Sequence, residues 1–456
     1  MNLLHDFFNN LNSYLWGWPM IVLLLGTHIF LTVLLRFPQI KIFKAIKLSI
    51  KKDNSDGDVS QFGALATSLA ATIGTGNIVG VAIAVTLGGP GAVLWCWLTG
   101  VFGMATKYSE GLLAVKYRYK TSDGTMMGGP MCALERGLKM KWLGILFAIF
   151  TVIASFGIGC TVQSNSISLF MSESYNISPY ITATILSVLT AMVIFFGVKG
   201  IANFCKALVP FMALFYILGC FTLLFMNWQY VGDALSLIFN SAFTPTAAGS
   251  GFIGATVMMA ARMGISRGLF SNESGMGSAP IIAAAAKTKN PVRQALVSST
   301  GTFWDTVVIC ALTGIVLVTI IIAYPEIDHT EGAKLTQAAF SKIPKVGHLI
   351  LTVGIFTFAF STILGWSYYG ERSLEYLGGK KTIPFYRVAW IIAVFLGAIT
   401  NIGLIWSIAD SMNALMAIPN LISLILLSGV IVKETRKYLW NGNLDETIED
   451  FESKEK

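Results

Sequence analysis

Residues 70–80, Ala70-Ala71-Thr72-Ile73-Gly74-Thr75-Gly76-Asn77-Ile78-Val79-Gly80, sit in the middle of an apolar run from Phe62 to about Leu87. The run is long enough to cross a bilayer, yet its centre holds residues that an ordinary membrane helix avoids. Each glycine weakens a helix by about 1 kcal/mol relative to alanine. Thr75 and Asn77 bring polar groups that need partners in hydrocarbon. A helix interrupted near the bilayer midplane accounts for both, and its freed amides and carbonyls would bind something small and charged. Irregular backbone at that depth is tolerated only where protein or a water-filled cavity surrounds it, and transporters place substrate and ion sites at such breaks. Tight helix packing is the alternative, since Gly76 and Gly80 form a GxxxG pair, but packing leaves Thr75 and Asn77 unexplained.

The rest of the chain agrees with a membrane setting. Of its 456 residues 54% are hydrophobic and 12% charged, with mean hydropathy +0.68, which excludes a soluble domain of this size. The reading is an all-α polytopic protein with eleven spans, at roughly 16–35, 62–87, 91–115, 142–171, 179–198, 205–227, 252–287, 295–323, 347–371, 385–400 and 404–432. Span 252–287 is too long for one straight crossing and contains the sequence SNESGMGSAP, so it too is interrupted. Its flank at 231–243 reads as an amphipathic surface helix, and the charged tail from Lys433 as solvated. The first basic residue is Arg36, so the charged n-region of a cleavable signal peptide is missing. The six cysteines contain no CxxC and read as small buried hydrophobes. The four histidines are scattered and suggest no metal cluster.

Lysine and arginine set the orientation. With the N-terminus outside and the C-terminus cytoplasmic, 27 of the 32 basic residues fall in inside segments. The net charge of +8 is then topological and implies no nucleic-acid partner. Four regions follow: an N-terminal transmembrane helix and loop (1–61), a first five-helix repeat (62–227), a surface helix with a second, inverted repeat (228–432), and a tail (433–456). Five spans is an odd number, so the halves have opposite orientation, and each opens with a glycine-interrupted helix.

The first break offers a helix N-terminus, whose free N–H groups suit a carboxylate. It also offers a helix C-terminus, whose free carbonyls suit Na+ or an ammonium. Gly76 allows close approach to that backbone. In Phe358–Glu371, Ser361 and Thr362 are adjacent hydroxyls that can complete an oxygen shell for Na+ or bond their own i−4 carbonyls. Trp366, one turn on from Thr362, is a pocket wall or packing. Gln163 and Asn165 are mid-span polar residues that bind a ligand or bridge helices. Arg262, Arg267, Glu273, Asp305 and Asp410 are intramembrane charges, read as gates, a proton relay or static pairs. Asn77 and Asn272 are further polar candidates beside the breaks. Gly264–Gly268 matches GxSxG, but it lies in a membrane helix with no nearby histidine, so a hydrolase is rejected.

Five stretches carry a family resemblance: AATIGTGNIVGVA, LGGPGAVLWCWLTGVFGMATKYSEGLLAVKYR, RGLFSNESGMGSAPIIAAAAKT, RQALVSSTGTFWDT and STILGWSYYGE. The chain resembles the alanine or glycine:cation symporter family from about Trp16 to Glu434, and that family is similar in architecture to the leucine-transporter (LeuT) fold of two inverted five-helix repeats. The resemblance implies Na+-coupled uptake of alanine or glycine, with no cofactor and no enzymatic activity. It implies that the substrate carboxylate meets Thr75 and Gly76, that Gln163, Phe270, Thr362 and Trp366 line the pocket, and that Na+ takes the carbonyls of Ala70 and Ile73 with Ser361 or Thr362. Ser274 and Met276 stand where the family usually has alanine and leucine. The rival readings are the same fold carrying glutamine or another neutral amino acid, proton coupling through Asp305, Asp410 or Glu273, and a sensor that binds without transporting.

Overall fold

The computed structural model describes residues 2–244, 256–328 and 331–447. Nearly all of it is helix. An amphipathic helix that the hydropathy reading did not anticipate, α1 (Asn2–Leu15), precedes α2 (Trp18–Leu34). Helix α3 (Ile42–Ser49) leads into the first half: α4 (Gln61–Thr72), α5 (Gly76–Gly88), α6 (Gly91–Lys116), α7 (Lys141–Tyr175), α8 (Pro179–Ile194) and α9 (Gly197–Met226). A surface helix, α10 (Trp228–Ser241), joins it to the second half. That half contains α11 (Val257–Asn272), α12 (Ala279–Ala283), α13 (Pro291–Ala323), α14 (Gly332–Ser341), α15 (Gly347–Gly378), α16 (Ile383–Ile399) and α17 (Gly403–Leu426), and α18 (Ser428–Thr435) follows.

The helices coincide with the expected stretches, with α9 beginning at Gly197 rather than near Cys205. Among the described residues, seven helices are long and apolar enough to cross a membrane, or eight if α4 and α5 are one bent span. Residues 252–255, the expected start of the interrupted seventh span, lie outside the described residues.

Two kinds of helix result. Helix α6 packs along α11 and α13 and is buried over most of its length, so it holds polar residues such as Thr99, Thr106, Ser109 and Glu110 in protein rather than lipid. Helices α8, α9 and α16 instead show large apolar side chains on their outer faces, among them Ile185, Val188, Phe211, Leu218, Ile392 and Leu396. That is the surface a hydrocarbon solvent requires. All six cysteines are buried and unpaired.

The tail corrects one expectation. Its first part is docked, not solvated: Glu434 pairs with Lys116 at 2.7 Å, Thr435 bonds Tyr108 at 2.9 Å, and Tyr438 and Leu444 are buried. The sequence from Lys433 is charged on average, but part of that charge and polarity is itself the anchor: Glu434 and Thr435 bind α6, and Asp445 pairs with Arg293 of α13 at 2.7 Å. Residues 448–456 of the tail lie outside the described residues.

Candidate functional site

Helix α4 stops at Thr72, and the chain resumes as α5 at 53° to it, through a wide π-type turn over Gly76–Gly80. Asn77 holds this break. Its Oδ1 accepts the Gly74 N–H at 2.9 Å, and its Nδ2 donates to the Asp305 carboxylate at 2.7 Å and to the Asp305 carbonyl at 3.2 Å. The same carboxylate accepts Ser271 Oγ at 3.1 Å and Thr306 Oγ1 at 2.6 Å. Asp305, on α13, thus ties α5 to α11 through neutral donors.

Around the break lies a small cavity, with about 20 Å³ of space for the centres of water-sized spheres. That is room for about one ordered water. Thr75, Gly76, Gln163, Phe270, Thr362 and Trp366 all line it, so four separate helices bring the six expected pocket residues together. Thr75 Oγ1 donates to Gln163 Oε1 at 3.3 Å, and Gln163 Nε2 donates to the Ile158 carbonyl at 3.1 Å. Gly74 is required by close approach: a Cβ there would lie 2.6 Å from Thr362 Oγ1. The N–H groups in the first turn of α5 lack intrahelical acceptors, as at any helix start.

Behind the cavity, α15 runs beside the C-terminal end of α4. Ser361 Oγ donates to its own helix at Phe358 O (2.9 Å) and across to the Ala70 carbonyl (3.1 Å), whereas Thr362 Oγ1 bonds Phe358 O at 3.0 Å. Ile73, the residue that ends α4, is buried. Trp366 is fully buried and donates from Nε1 to Glu273 Oε1 at 3.1 Å; the other Glu273 oxygen accepts Ser278 Oγ.

Other candidates lie elsewhere. Asn165 donates to the Gly397 and Thr400 carbonyls, each at 3.0 Å, and so bridges α7 to α16. Asn272 accepts the Ser274 N–H at 2.9 Å and shapes the second break. Arg262, Arg267 and Asp410 line a separate cavity with Trp16 and Phe270. Among the described residues, none of Arg262, Arg267, Glu273, Asp305 and Asp410 forms an ion pair within 4.0 Å, although Arg267 and Asp410 line the same cavity.

Sequence reasoning missed several residues. Glu110 on α6 accepts the N–H groups of Gly275 (3.1 Å) and Gly277 (3.0 Å) and the Asn420 amide (2.7 Å), so a carboxylate of the protein itself fills the second break. Gly275 and Gly277 have φ of 89° and 86°, which glycine tolerates. Lys107, one turn before Glu110, has a buried ammonium without a hydrogen-bond partner. Asn413 on α17 lines the first cavity, and its Oδ1 is buried with no partner. The signal for Glu110 was present: a glutamate inside an apolar helix is a site hypothesis by default.

The sequence model described as "Sodium:alanine symporter family" matches residues 1–452. The sodium/alanine symporter AgcS of Methanococcus maripaludis is 51% identical over 439 residues, covering 94% of this chain and 96% of the relative. A Bacillus subtilis protein described as a probable sodium/glutamine symporter, GlnT, is 37% identical over 436 residues, covering 94% and 89%. Among solved structures, MhsT in complex with L-phenylalanine superposes with a TM-score of 0.57 at 14% identity, covering 82% of this chain and 90% of that one. At that identity the shared property is the fold, the LeuT type of two inverted five-helix repeats.

Proposed function

The chain belongs to the sodium:alanine symporter family, and on that premise we propose that it carries alanine or glycine into the cell together with Na+, across the plasma membrane and with its N-terminus outside. The protein is a multi-pass membrane protein of sodium-coupled amino-acid transport, not an enzyme.

The observation that carries the finer reading is the cavity at the first break, small and lined by both charge-seeking and bulky groups. The substrate carboxylate meets the first-turn amides of α5 at Thr75 and Gly76, where the helix dipole favours a negative group. The ammonium faces polar oxygens: Gln163 Oε1, the orphaned Asn413 Oδ1 and the Glu273 carboxylate line the same space. Phe270, Trp366 and Ile158 limit the side chain. Na+ takes the carbonyls at the end of α4, Ala70 and Ile73, together with a hydroxyl of α15. Ser361 already reaches Ala70 O.

In this arrangement the cavity has room for about one ordered water, so loading an amino acid requires its walls to part. They belong to different helices, which suits rocking of one bundle against the other. Na+ must bind one state better than the other for this motion to be driven. A membrane potential of 100 mV contributes about 2.3 kcal/mol per charge moved, enough for roughly fifty-fold accumulation. One relative carries a glutamine description, and glutamine is therefore the second substrate to test.

The test is uptake of radiolabelled alanine into proteoliposomes, under an inward Na+ gradient or an equal K+ gradient, with unlabelled glycine and glutamine as competitors. Ser361→Ala and Thr362→Ala are run beside the wild type. Na+-dependent accumulation, competed by glycine and weakened by one of the two substitutions, is the expected result. Uptake that follows a proton gradient without Na+ would overturn the coupling, and competition by glutamine alone would overturn the substrate.

A further inference from the structure

Two cavities border α4 and α9 one after the other, and their linings follow the same faces of both helices as a single amphipathic groove would. The polar end is a cavity of about 320 Å³ bordered by Lys52, Lys199, Lys206 and Lys287. The apolar end, also about 320 Å³, begins one turn further along the same helices. On α9 the lining runs Lys199, Asn203, Lys206, then Val209, Ala213 and Ile217, a single stripe at three- and four-residue spacing. On α4 it runs from Ser60 through Phe62, Leu65 and Leu69 to Ile73. On α3 and the chain after it, Ile46 and Ile50 border the apolar end and Lys52 the polar end.

The polar end carries an excess of positive charge, with lysines outnumbering the aspartates Asp53 and Asp58. None of its four lysines forms an ion pair with a described residue. Of the two aspartates on its wall, Asp53 is shared with the buried Arg293 at 3.6 Å, and Asp58, which accepts the Met126 N–H at 2.9 Å, offsets part of the lysine charge. Lys206 also lies over the wrong end of a helix. A Cβ at Gly63 would be 2.6 Å from Lys206 Cε and 3.4 Å from its Nζ, so the ammonium sits on the first turn of α4, which has no acidic residue. A helix N-terminus is itself partly positive and favours an anion there, not a cation. The missing charge is negative, and it belongs at the head of an apolar groove that opens toward lipid.

We propose that this groove binds an anionic phospholipid, with its phosphate among the lysines and an acyl chain along α4 and α9. Basic pockets between membrane helices hold headgroups in this way. The chain would lie against Ile73, the residue that ends α4 at the break, so an occupied groove braces the first half-helix against α9.

Trp304 borders the apolar end and reports on it. The full-length protein is reconstituted in phosphatidylcholine vesicles containing a minor fraction of either dibrominated phosphatidylglycerol or dibrominated phosphatidylcholine. The fluorescence lost in Trp304→Phe defines the signal of that one residue among the eleven tryptophans. Brominated phosphatidylglycerol is expected to quench it several-fold more effectively, and Lys199→Gln and Lys206→Gln each to reduce that preference roughly five-fold. Ala213→Phe, which obstructs the groove, is expected to abolish quenching by both lipids. Equal quenching by the two lipids in the wild type would overturn the headgroup assignment. Loss of the preference on adding soluble glycerol phosphate would show a site for a water-soluble anion and overturn the lipid. The readout involves no transport, so it stands whether or not alanine is the substrate.

Discussion

Removing the carboxylate of Glu110 is expected to loosen the second break in a graded way. Its Oε1 accepts two backbone N–H groups and the Asn420 amide at 2.7–3.1 Å, in a site shielded from water. Glu110→Ala strands both N–H groups of a loop whose residues all lie in protein. Each stranded donor costs about 1–3 kcal/mol, so the loss is about 2–6 kcal/mol before any cavity term. Glu110→Gln keeps one acceptor oxygen but loses the charge, which roughly halves hydrogen-bond strength; its cost is about 1–2 kcal/mol. Lys107 supplies a second step. It lies on the same face of α6 one turn earlier, and its ammonium has no hydrogen-bond partner. With Glu110 neutralised, that ammonium loses its nearest compensation on the helix, and a buried uncompensated charge is destabilising. Lys107→Met in the Glu110→Gln background should therefore recover stability, although Lys107→Met alone lowers it. Thermal unfolding in detergent, followed by size-exclusion chromatography with intrinsic fluorescence, measures the order: wild type, then Glu110→Gln, then Glu110→Ala, with the double variant above Glu110→Gln. Equal losses for alanine and glutamine would refute the amide-capping argument, and additive losses in the double variant would refute the charge argument.

Three further outcomes follow from the same contacts. Gly159→Ala would place a Cβ 2.2 Å from Trp366 Cβ and 2.4 Å from its Cγ; overpacking of this kind costs about 1–3 kcal/mol. The indole can yield only toward the cavity, so apparent alanine affinity should fall about ten-fold or more, and unchanged uptake would contradict Trp366 as a wall. Asn413→Leu removes the one orphaned oxygen of the cavity and should raise the alanine KM more than it alters the Na+ dependence, read by uptake at varied Na+; an effect on Na+ alone would reassign the residue. In the tail, the hydrogen bond from Arg293, and then that from Lys51, holds the Asp445 carboxyl below its ordinary value of 3.8. A depressed carboxylate stabilises above its unfolded value and loses the contribution as pH falls through the folded one. Docking of residues 441–447 should therefore resist limited proteolysis unchanged from pH 7 down to about pH 5 and weaken only below about pH 4, whereas Asp445→Asn should increase cleavage already at pH 7.

The breaks were legible in the sequence because glycine, threonine and asparagine inside an apolar run violate a strong rule. The same rule would have found Glu110, Lys107 and Asn413, but each stands inside an unbroken helical stretch with no run of adjacent helix-weakening residues to draw attention to it. The hydroxyl pair shows a different limit. The sequence left open whether Ser361 and Thr362 bond their own helix or reach across it. Both bond Phe358 O, and Ser361 also reaches Ala70. That distinction depends on rotation about one helix axis, which spacing does not specify. The docked tail was missed for a similar reason, since average charge does not show which charged and polar residues anchor it to other helices. The intramembrane charges were expected as gates, a proton relay or static pairs; the structure adds that neutral donors hold Glu273 and Asp305.

The two breaks are related by the repeat but occupied differently, and this difference supports the substrate site proposed at the first. Both offer backbone amides to an anion. At the second, Glu110 reaches in from α6 and satisfies Gly275 and Gly277, so no external carboxylate is needed or admitted. At the first, the amides that open α5 face a cavity whose wall includes an unpartnered Asn413 oxygen. A protein that must capture a zwitterion on one side of a pseudo-symmetric core gains by closing the equivalent site on the other. The resident carboxylate does so while fixing the loop that carries Glu273, whose side chain reaches back to the first cavity through Trp366. The second break thereby becomes the support for the first, and Glu110, which does not line the first cavity, is the residue whose loss should make both breaks alike.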